Sequence, residues 1–286
     1  MEGKNVALLG ATGFLGKQIL LDLVDSGFRV TVVLRNSKNN SIPFPARIVN
    51  LKKFLSCKEE FDLIINCAGY YSKSSRFIEV YKIRKSNYLL IKKLIKSRKR
   101  NGGVLITVGS YFEQTPVWKK ITATYYTKYK LKAKKKLVIS AKKISLPTFY
   151  VYLFDTYGEE DNRSKVLTYI IGEFKVGKLP ILTNPLESIN WSHKADIAAS
   201  IITLINNSNK YSSYRLHEFQ IRSLDEFRLV DFVNTISSKI APNESSYNKD
   251  SESDHLFDCA PDLIYFKAKY NIIDFTLASI QKKESI

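Results

Sequence analysis

Tyr126 and Lys130 stand four residues apart in a strongly basic stretch, Tyr126 to about Lys143, that reads as a helix. That spacing puts them on one helical face, one turn apart. A tyrosine with its ordinary pKa of about 10 is a poor acid–base catalyst near neutral pH. An ammonium one turn away stabilises the phenolate and brings the group toward a useful range. Ser110 directly follows the apolar run Val104–Val108, where its hydroxyl can hold a reacting oxygen. Such a trio suits proton transfer to or from an alcohol or a carbonyl. A second register, Thr124 with Lys128, has the same spacing, but its first residue lacks an acid of the right type. Tyr126 and Lys130 are therefore the expected pair, with Tyr125 as an understudy.

The elements that must position this trio begin at the N-terminus. Val6, Ala7, Leu8 and Leu9 form a continuous apolar run, as a strand buried on both faces does. Leu15, Ile19 and Leu23 then recur at helical spacing, and Gly27 marks the helix end. Between them lies Gly10-Ala11-Thr12-Gly13-Phe14-Leu15-Gly16, three glycines with two residues between each. In a strand–turn–helix setting these glycines make the tight turn, let backbone N–H groups approach a pyrophosphate, and allow close helix–strand packing. A second strand, Val30–Leu34, ends at Arg35, with Lys38 close behind. An acid at that tip would bond a ribose 2′-hydroxyl and repel a 2′-phosphate. A cation there favours NADP(H) over NAD.

Further strands are expected near Arg47–Leu51, with Asn50 at the tip, at Asp62–Gly69, ending in Ala68-Gly69, at Val104–Val108 and at Thr148–Phe154. A long helix, Ile78 to Arg98, lies between two of them. Strands alternating with helices predict an α/β fold, a Rossmann-type doubly wound parallel sheet with a smaller C-terminal substrate lobe. The boundaries expected are 1–155 for the dinucleotide-binding domain, with 190–210 returning to it, and 156–286 for most of the lobe. In the lobe, helical pieces are expected at Val166–Val176, Ile197–Ile205 and Leu224–Ser237, followed by a polar tail. The expected cofactor contacts are Gly10, Thr12, Gly13, Phe14, Leu15 and Gly16 in the turn, Arg35 and Asn50 at the strand tips, Ala68 and Gly69, and Tyr126 and Lys130.

Five segments together resemble the extended short-chain dehydrogenases/reductases of the nucleotide-sugar epimerase, dehydratase and reductase group. They are the glycine turn, Asn-Cys-Ala-Gly at 66–69, Ser-Asn-Tyr-Leu-Leu at 86–90, the Tyr-x-x-x-Lys pair, and Leu-Phe-Asp-Thr-Tyr-Gly-Glu at 153–159. The resemblance runs to about Ala199. Val108–Phe112 and Phe154–Gly158 are most similar to the synthases of CDP-linked 3,6-dideoxyhexoses, abequose and paratose. That resemblance implies NADPH-dependent reduction of the 4-keto group of a nucleoside-diphosphate deoxysugar, feeding surface polysaccharide (O-antigen, lipopolysaccharide) synthesis. It implies Ser110, Tyr126 and Lys130 as catalytic residues. Dehydratases of the group carry an acidic pair after the strand-five Ser or Thr, whereas Ser110 is followed by Tyr111 and Phe112. Glu113 is the only nearby acid and is expected in the substrate pocket or on the surface.

For the substrate, Asp155, Tyr157, Arg163 and Lys165 follow strand six, and a guanidinium suits a diphosphate. The family's Arg-Asp-Phe-x-His-x-x-Asp stretch stands here as Ile189 to Asp196, with His193 and Asp196 in structural roles and the usual arginine missing. Two other readings stay open: an epimerase that retains NAD, and a non-catalytic member of the fold binding NADP or RNA.

The chain has 286 residues, a net charge of +18 and 44% hydrophobic content. No apolar run reaches the roughly 20 residues a bilayer span requires. The first strand starts at once, which leaves no room for a signal peptide, so a cytoplasmic protein is expected. Cys57, Cys67 and Cys259 are odd in number and scattered, as are His193, His217 and His255. Neither a disulfide framework nor a metal site is expected. The charge could serve nucleic acid, but it equally suits an enzyme whose cofactor and substrate both carry phosphates, and nucleic acid is not the expected partner. Relatives often dimerise through the fourth and fifth helices. In this chain the lysines of 128–143 would set like charges against each other there.

Overall fold

The computed structural model describes residues 3–35, 46–101, 103–114, 124–240 and 262–282. The chain divides into two compact units. The first is Met1–Leu153 with Ala198–Ile221 and Pro261–Ile264; the second is Phe154–Ile197 with Arg222–Ala260 and Tyr265–Ile286. The stretch that rejoins the first unit is thus 198–221 with 261–264, where 190–210 was expected. Cys259, His255 and Lys38 lie outside the described residues.

Strands β1 (Asn5–Leu9), β2 (Arg29–Leu34), β3 (Arg47–Asn50), β4 (Leu63–Asn66), β5 (Val104–Ser110) and β6 (Thr148–Leu153) come first. Then follow β7 (Asp155–Tyr157), β8 (Ser188–Ile189), β9 (Trp191–His193), β10 (Leu216–Ser223), β11 (Phe227–Arg228) and β12 (Asp262–Phe266). The central sheet has the order β12-β10-β6-β5-β4-β1-β2-β3. Its seven strands from β10 to β3 run parallel, with Val6 beside both Val30 and Leu63, and Leu105 beside Thr148. This is the Rossmann-type architecture that the alternation predicts. Every residue of β4 and β6 is buried, as covering by helices on both faces requires.

Helix α1 (Phe14–Asp25) buries Ile19, Leu20 and Leu23 and ends where Gly27 takes a φ of +77°. There Gly27 N–H donates to the Val24 carbonyl and Phe28 N–H to that of Leu23, a Schellman closure. A short helix α2 (Leu51–Ser56), absent from the sequence reading, is capped by the Asn50 side chain, which accepts the Lys52 N–H at 2.9 Å. The long helix expected over 78–98 is three pieces: α3 (Phe77–Arg84), one π-helical turn at Lys85–Leu89, and α4 (Leu90–Asn101). In the widened turn the buried Asn87 donates to the Tyr70 carbonyl at 2.7 Å and accepts the Tyr70 N–H at 3.2 Å. Satisfying that loop backbone is the local gain that accompanies the departure from α geometry.

Helix α5 (Tyr125–Ala141) opens on Thr124, whose hydroxyl accepts the Thr127 N–H, and α6 (Val166–Lys175) and α7 (Lys194–Asn206) follow. The strand β10 adds a parallel strand to the six that the sequence reading places. Leu216-His217-Glu218-Phe219-Gln220-Ile221 mixes polar with apolar residues, unlike the mainly apolar strands of the sheet centre. Each polar side chain finds a partner inside the fold: His217 the Ser212 carbonyl, Glu218 the Tyr152 hydroxyl, and Gln220 the Gln114 amide.

The second unit packs Tyr157, Ile170, Trp191, Phe232 and Ile236 around one core. Its helices are α6, α8 (Leu229–Ile240) and α9 (Ile272–Gln281). Two strand pairs complete it, β7 with β9 in parallel and β8 with β11 antiparallel.

Candidate active site

The glycine turn closes tightly on itself. Gly10 has φ +87°, and a β-carbon there would stand 2.6 Å from the Ala68 nitrogen. At Gly16 it would stand 2.0 Å from the Gly10 carbonyl oxygen, so the third glycine seats the helix against the strand. Gly13 is the N-cap of α1. It offers no side-chain acceptor, and no acid stands in the first turn. No side chain of the cap thus satisfies the leading N–H groups of the helix.

Over this turn lies a cavity of about 410 Å³. Gly10, Thr12 and Gly13 form one wall, and Arg35, Ala68 and Gly69 another. The residues that reading the sequence missed come from Leu51, Cys67 and, above all, the helix wall of Lys85, Ser86, Leu89 and Lys93. The π turn brings these four onto one side, a change of helical phase that the spacing of apolar residues does not reveal. Phe14, Leu15, Gly16, Asn50, Tyr126 and Lys130 do not border this cavity. Asn50 instead ties two strand tips together, its amide donating to the Arg35 carbonyl at 3.1 Å. Burial pushes the Cys67 thiol up to about 12, so it stands in the wall as an uncharged group.

At the carboxyl ends of the central strands, Ser110 closes β5 and is buried. Lys130, also buried, donates from Nζ to the Val108 carbonyl at 2.6 Å, two residues before Ser110. Its ammonium lies 5.7 Å from the centroid of the Tyr126 ring. Tyr126 is half-buried and meets Tyr71 edge to face, with centroids 5.2 Å apart. Thr124 caps α5, while Lys128 is exposed and lies over Tyr125.

Glu113 is the main correction. Expected in the pocket or at the surface, it is buried, accepting the Ser110 N–H and the Tyr150 hydroxyl. Ser-x-x-Glu at 110–113 is the signal that was there to read, because that spacing returns the acid to the backbone N–H of the serine. Burial, opposed by the Lys130 ammonium, holds its carboxyl above the usual range.

In the second unit the expected substrate residues are engaged with neighbouring groups of the chain. The Arg163 guanidinium grips Asp161 through Nε and Nη2, both at 2.6 Å, and donates to the Thr156 hydroxyl at 2.9 Å. Lys165 donates to Asp155 at 3.3 Å, and burial lowers its pKa. Tyr157 is buried with its hydroxyl on the Tyr270 carbonyl. His193 is buried beneath Tyr270, ring on ring at 3.8 Å, and desolvation lowers its pKa. Asp196 accepts the Lys269 N–H.

Among the described residues no cluster of His, Cys, Asp and Glu could hold a metal ion, and no helix is long and apolar enough to cross a membrane. The exposed positions of α4 and α5 include Lys92, Lys93, Lys96, Lys132, Lys135 and Lys136, and neither helix contains an acid.

The profile of the NAD dependent epimerase/dehydratase family matches residues 6–216. A search of curated proteins finds no matching sequence. Solved structures share the fold. The Bordetella bronchiseptica enzyme WbmF in complex with NADH superposes with a TM-score of 0.74 at 19% identity, over 98% of this chain and 91% of that one. The UDP-N-acetylglucosamine 4-epimerase from Bacillus cereus gives 0.70 at 17% identity, over 97% and 98%. MoeE5 in complex with UDP-glucose and NAD gives 0.69 at 14% identity, over 97% of each chain.

Proposed function

This chain belongs to the NAD-dependent epimerase/dehydratase family, and within it we propose an NADP-dependent reductase of the 4-keto group of a nucleoside-diphosphate 4-keto-6-deoxy or 3,6-dideoxy sugar. The residues present fit a dinucleotide. A β-carbon at Gly10 or Gly16 would strike the chain's own backbone, so the tight turn needs glycine at both positions, and the first turn of α1 has no side-chain cap. Arg35, Lys85 and Lys93 border the cavity, and no carboxylate among the described residues lines it. That charge balance suits the extra phosphate of NADP(H). When bound, the nicotinamide supplies the hydride that reduces C4.

The chain's own residues supply the proton and the geometry. Tyr126 gives its phenol proton to the C4 oxygen as negative charge develops there. Lys130 holds a positive charge beside the phenol and is itself fixed by the Val108 carbonyl. Ser110 holds the carbonyl oxygen by its hydroxyl. The observation that carries this reading is Lys130, a buried cation bonded to the strand that ends at Ser110 and facing the Tyr126 ring. Thr124 as the helix cap and Lys128 on the exposed side support this register over the other. We assign recognition of the nucleoside diphosphate to Asp155, Tyr157, Arg163 and Lys165, and a place in surface-polysaccharide synthesis to the product.

Tyr111 and Phe112 occupy the positions where a dehydratase would need its acid and base. A second reading, an epimerase that keeps its NAD, is favoured by the family and by the epimerase among the structural neighbours. Protein that purifies with oxidised NAD attached would support that reading. The deciding experiment follows NADPH and NADH oxidation in parallel against CDP-, dTDP-, GDP- and UDP-linked 4-keto sugars. NADPH oxidation with at least one of them is expected. Tyr126→Phe should lower the rate by about 10³-fold or more while leaving NADPH affinity within about twofold. An active Tyr126→Phe enzyme would refute the assignment.

A further inference from the structure

Helices α2, α4 and α5 cover one face of the central sheet as a single layer. Phe54 of α2, Leu90 and Leu94 of α4, and Ala133 and Leu137 of α5 meet in one buried cluster. These helices hold two, six and six lysines and arginines, and no aspartate or glutamate. Helix α1 joins β1 to β2, a step across the sheet opposite to those from β4 to β5 and from β5 to β6. Right-handed crossovers therefore place it on the other face. It carries one lysine and two aspartates. Positive charge is thus gathered on one layer, where a uniformly lysine-rich surface would spread it over both.

On α5 the exposed residues are Tyr125, Lys128, Lys132, Lys135, Lys136 and Ile139. Their spacing makes one stripe, with lysines in the middle and an aromatic or apolar side chain at each end. The rod of α4 lies beside it, because Tyr88 of the π turn stacks on Tyr129 with ring centroids 6.3 Å apart. Lys92 stands over the first ring and Lys132 over the second, each at 5.7 Å, and Lys128 stands over Tyr125 at 5.8 Å. Lys134 is tied to Glu218 at 3.1 Å and takes no part. Lys92 and Lys96 of α4 extend the α5 stripe; both are exposed, and among the described residues no lysine of this patch has a carboxylate partner.

A surface of this kind calls for an anionic partner. A second copy docked by two-fold symmetry would set the patch against itself, lysine against lysine. A nucleic acid would stack bases on open rings and favour arginine forks. Here Tyr88 and Tyr129 stack on each other and each carries an ammonium. Arg98 of α4 is buried and donates to the Gly103, Leu146 and Pro147 carbonyls. An anionic bilayer surface matches what is present. Flexible lysines reach headgroup phosphates as point charges, and Ile139, 55% exposed, can enter the headgroup boundary. We propose that the face formed by α4 and α5 docks the protein on an anionic membrane surface, held by its lysines, with neither helix crossing the bilayer.

Co-sedimentation of the full chain with phosphatidylcholine vesicles, pure or holding about 30% phosphatidylglycerol, tests this. Binding is expected to the anionic vesicles alone. It should be lost as salt rises from about 0.1 M to about 1 M, where the screening length falls from about 10 Å to about 3 Å. Each lysine near such a surface changes partitioning about fivefold. Lys132→Gln combined with Lys135→Gln keeps good helix formers and should weaken partitioning about 25-fold. Lys175→Gln combined with Lys178→Gln removes the same charge from exposed positions of the second unit. Partitioning of that variant should stay within about twofold. Equal weakening by the two pairs would reduce the effect to net charge and overturn the proposal. Equal binding to neutral vesicles overturns it too, as does an absence of vesicle binding, with or without salt-dependent capture of an oligouridine RNA. No substrate or turnover enters the measurement, so its outcome is independent of the reductase reading.

Discussion

Arg35, Lys85 and Lys93 border the cavity over the glycine turn, and none has a carboxylate partner among the described residues. Arg163 and Lys165, in the second unit, are held by Asp161 and Asp155. One cluster keeps its charge directed outward; the other uses much of its charge to shape a loop. Exposed cations without partners contribute little to folding, and an arriving anion meets nearly their full charge. Cations already paired are pre-organised, and removing one leaves an aspartate and a threonine without their donor. The difference teaches which cluster should govern ligand choice alone, and which should couple ligand binding to stability.

Between these two clusters, the larger expected effect is at Arg35. Arg35→Glu reverses the charge at the strand tip and should weaken NADPH about 100-fold, an effect of roughly 2.7 kcal/mol. NADH affinity should stay within about threefold and stability within about 0.5 kcal/mol, as for other exposed sites. Titration with both cofactors checks it, and equal weakening of both would remove the distinction drawn above. Next comes Arg163→Ala. Losing a bidentate, charge-assisted contact should cost about 1–2 kcal/mol in urea denaturation and weaken a nucleoside-diphosphate sugar about tenfold. A stability loss with sugar affinity unchanged would make that cluster purely structural.

The smallest effect concerns His193, the buried group of the second unit that burial keeps neutral. Its pKa in the folded state lies below the 6.5 of the unfolded chain. The unfolded state therefore binds the extra proton, so the stability contribution is full above about pH 6.5. It declines as pH falls below that value, by at most about 1.4 kcal/mol per pH unit. Urea midpoints across pH 5 to 7.5 should show a shallower slope for His193→Gln than for the unaltered protein; parallel slopes would remove His193 as the cause.

Much of the first unit was legible in the sequence because its instructions are local. The run Val6–Leu9, the three glycines and Gly27 each constrain the backbone within a few residues, and the strand, turn and helix formed where they were expected. Strands β2, β4, β5 and β6 were readable for the same reason, as mainly apolar runs. Strand β10 was hidden by its polar residues: Glu218 and Gln220 find partners contributed by segments far away in sequence, and His217 finds one five residues back. The π turn at Lys85–Leu89 was hidden because a helix with one extra residue in one turn keeps the composition of a helix. Its cause, the grip of Asn87 on Tyr70, spans seventeen residues.

The amino-acid order alone settled the doubly wound sheet, the dinucleotide turn and the four-residue spacing of Tyr126 and Lys130, because hydrophobic periodicity and glycine's backbone freedom act between near neighbours. The burial of Glu113, the helix wall of cations over the cavity and the pairing of Arg163 and Lys165 with aspartates were decided by the folded chain. Whether a charge is compensated or left open depends on which distant groups the fold brings within a few ångströms, and on how much water it leaves between them.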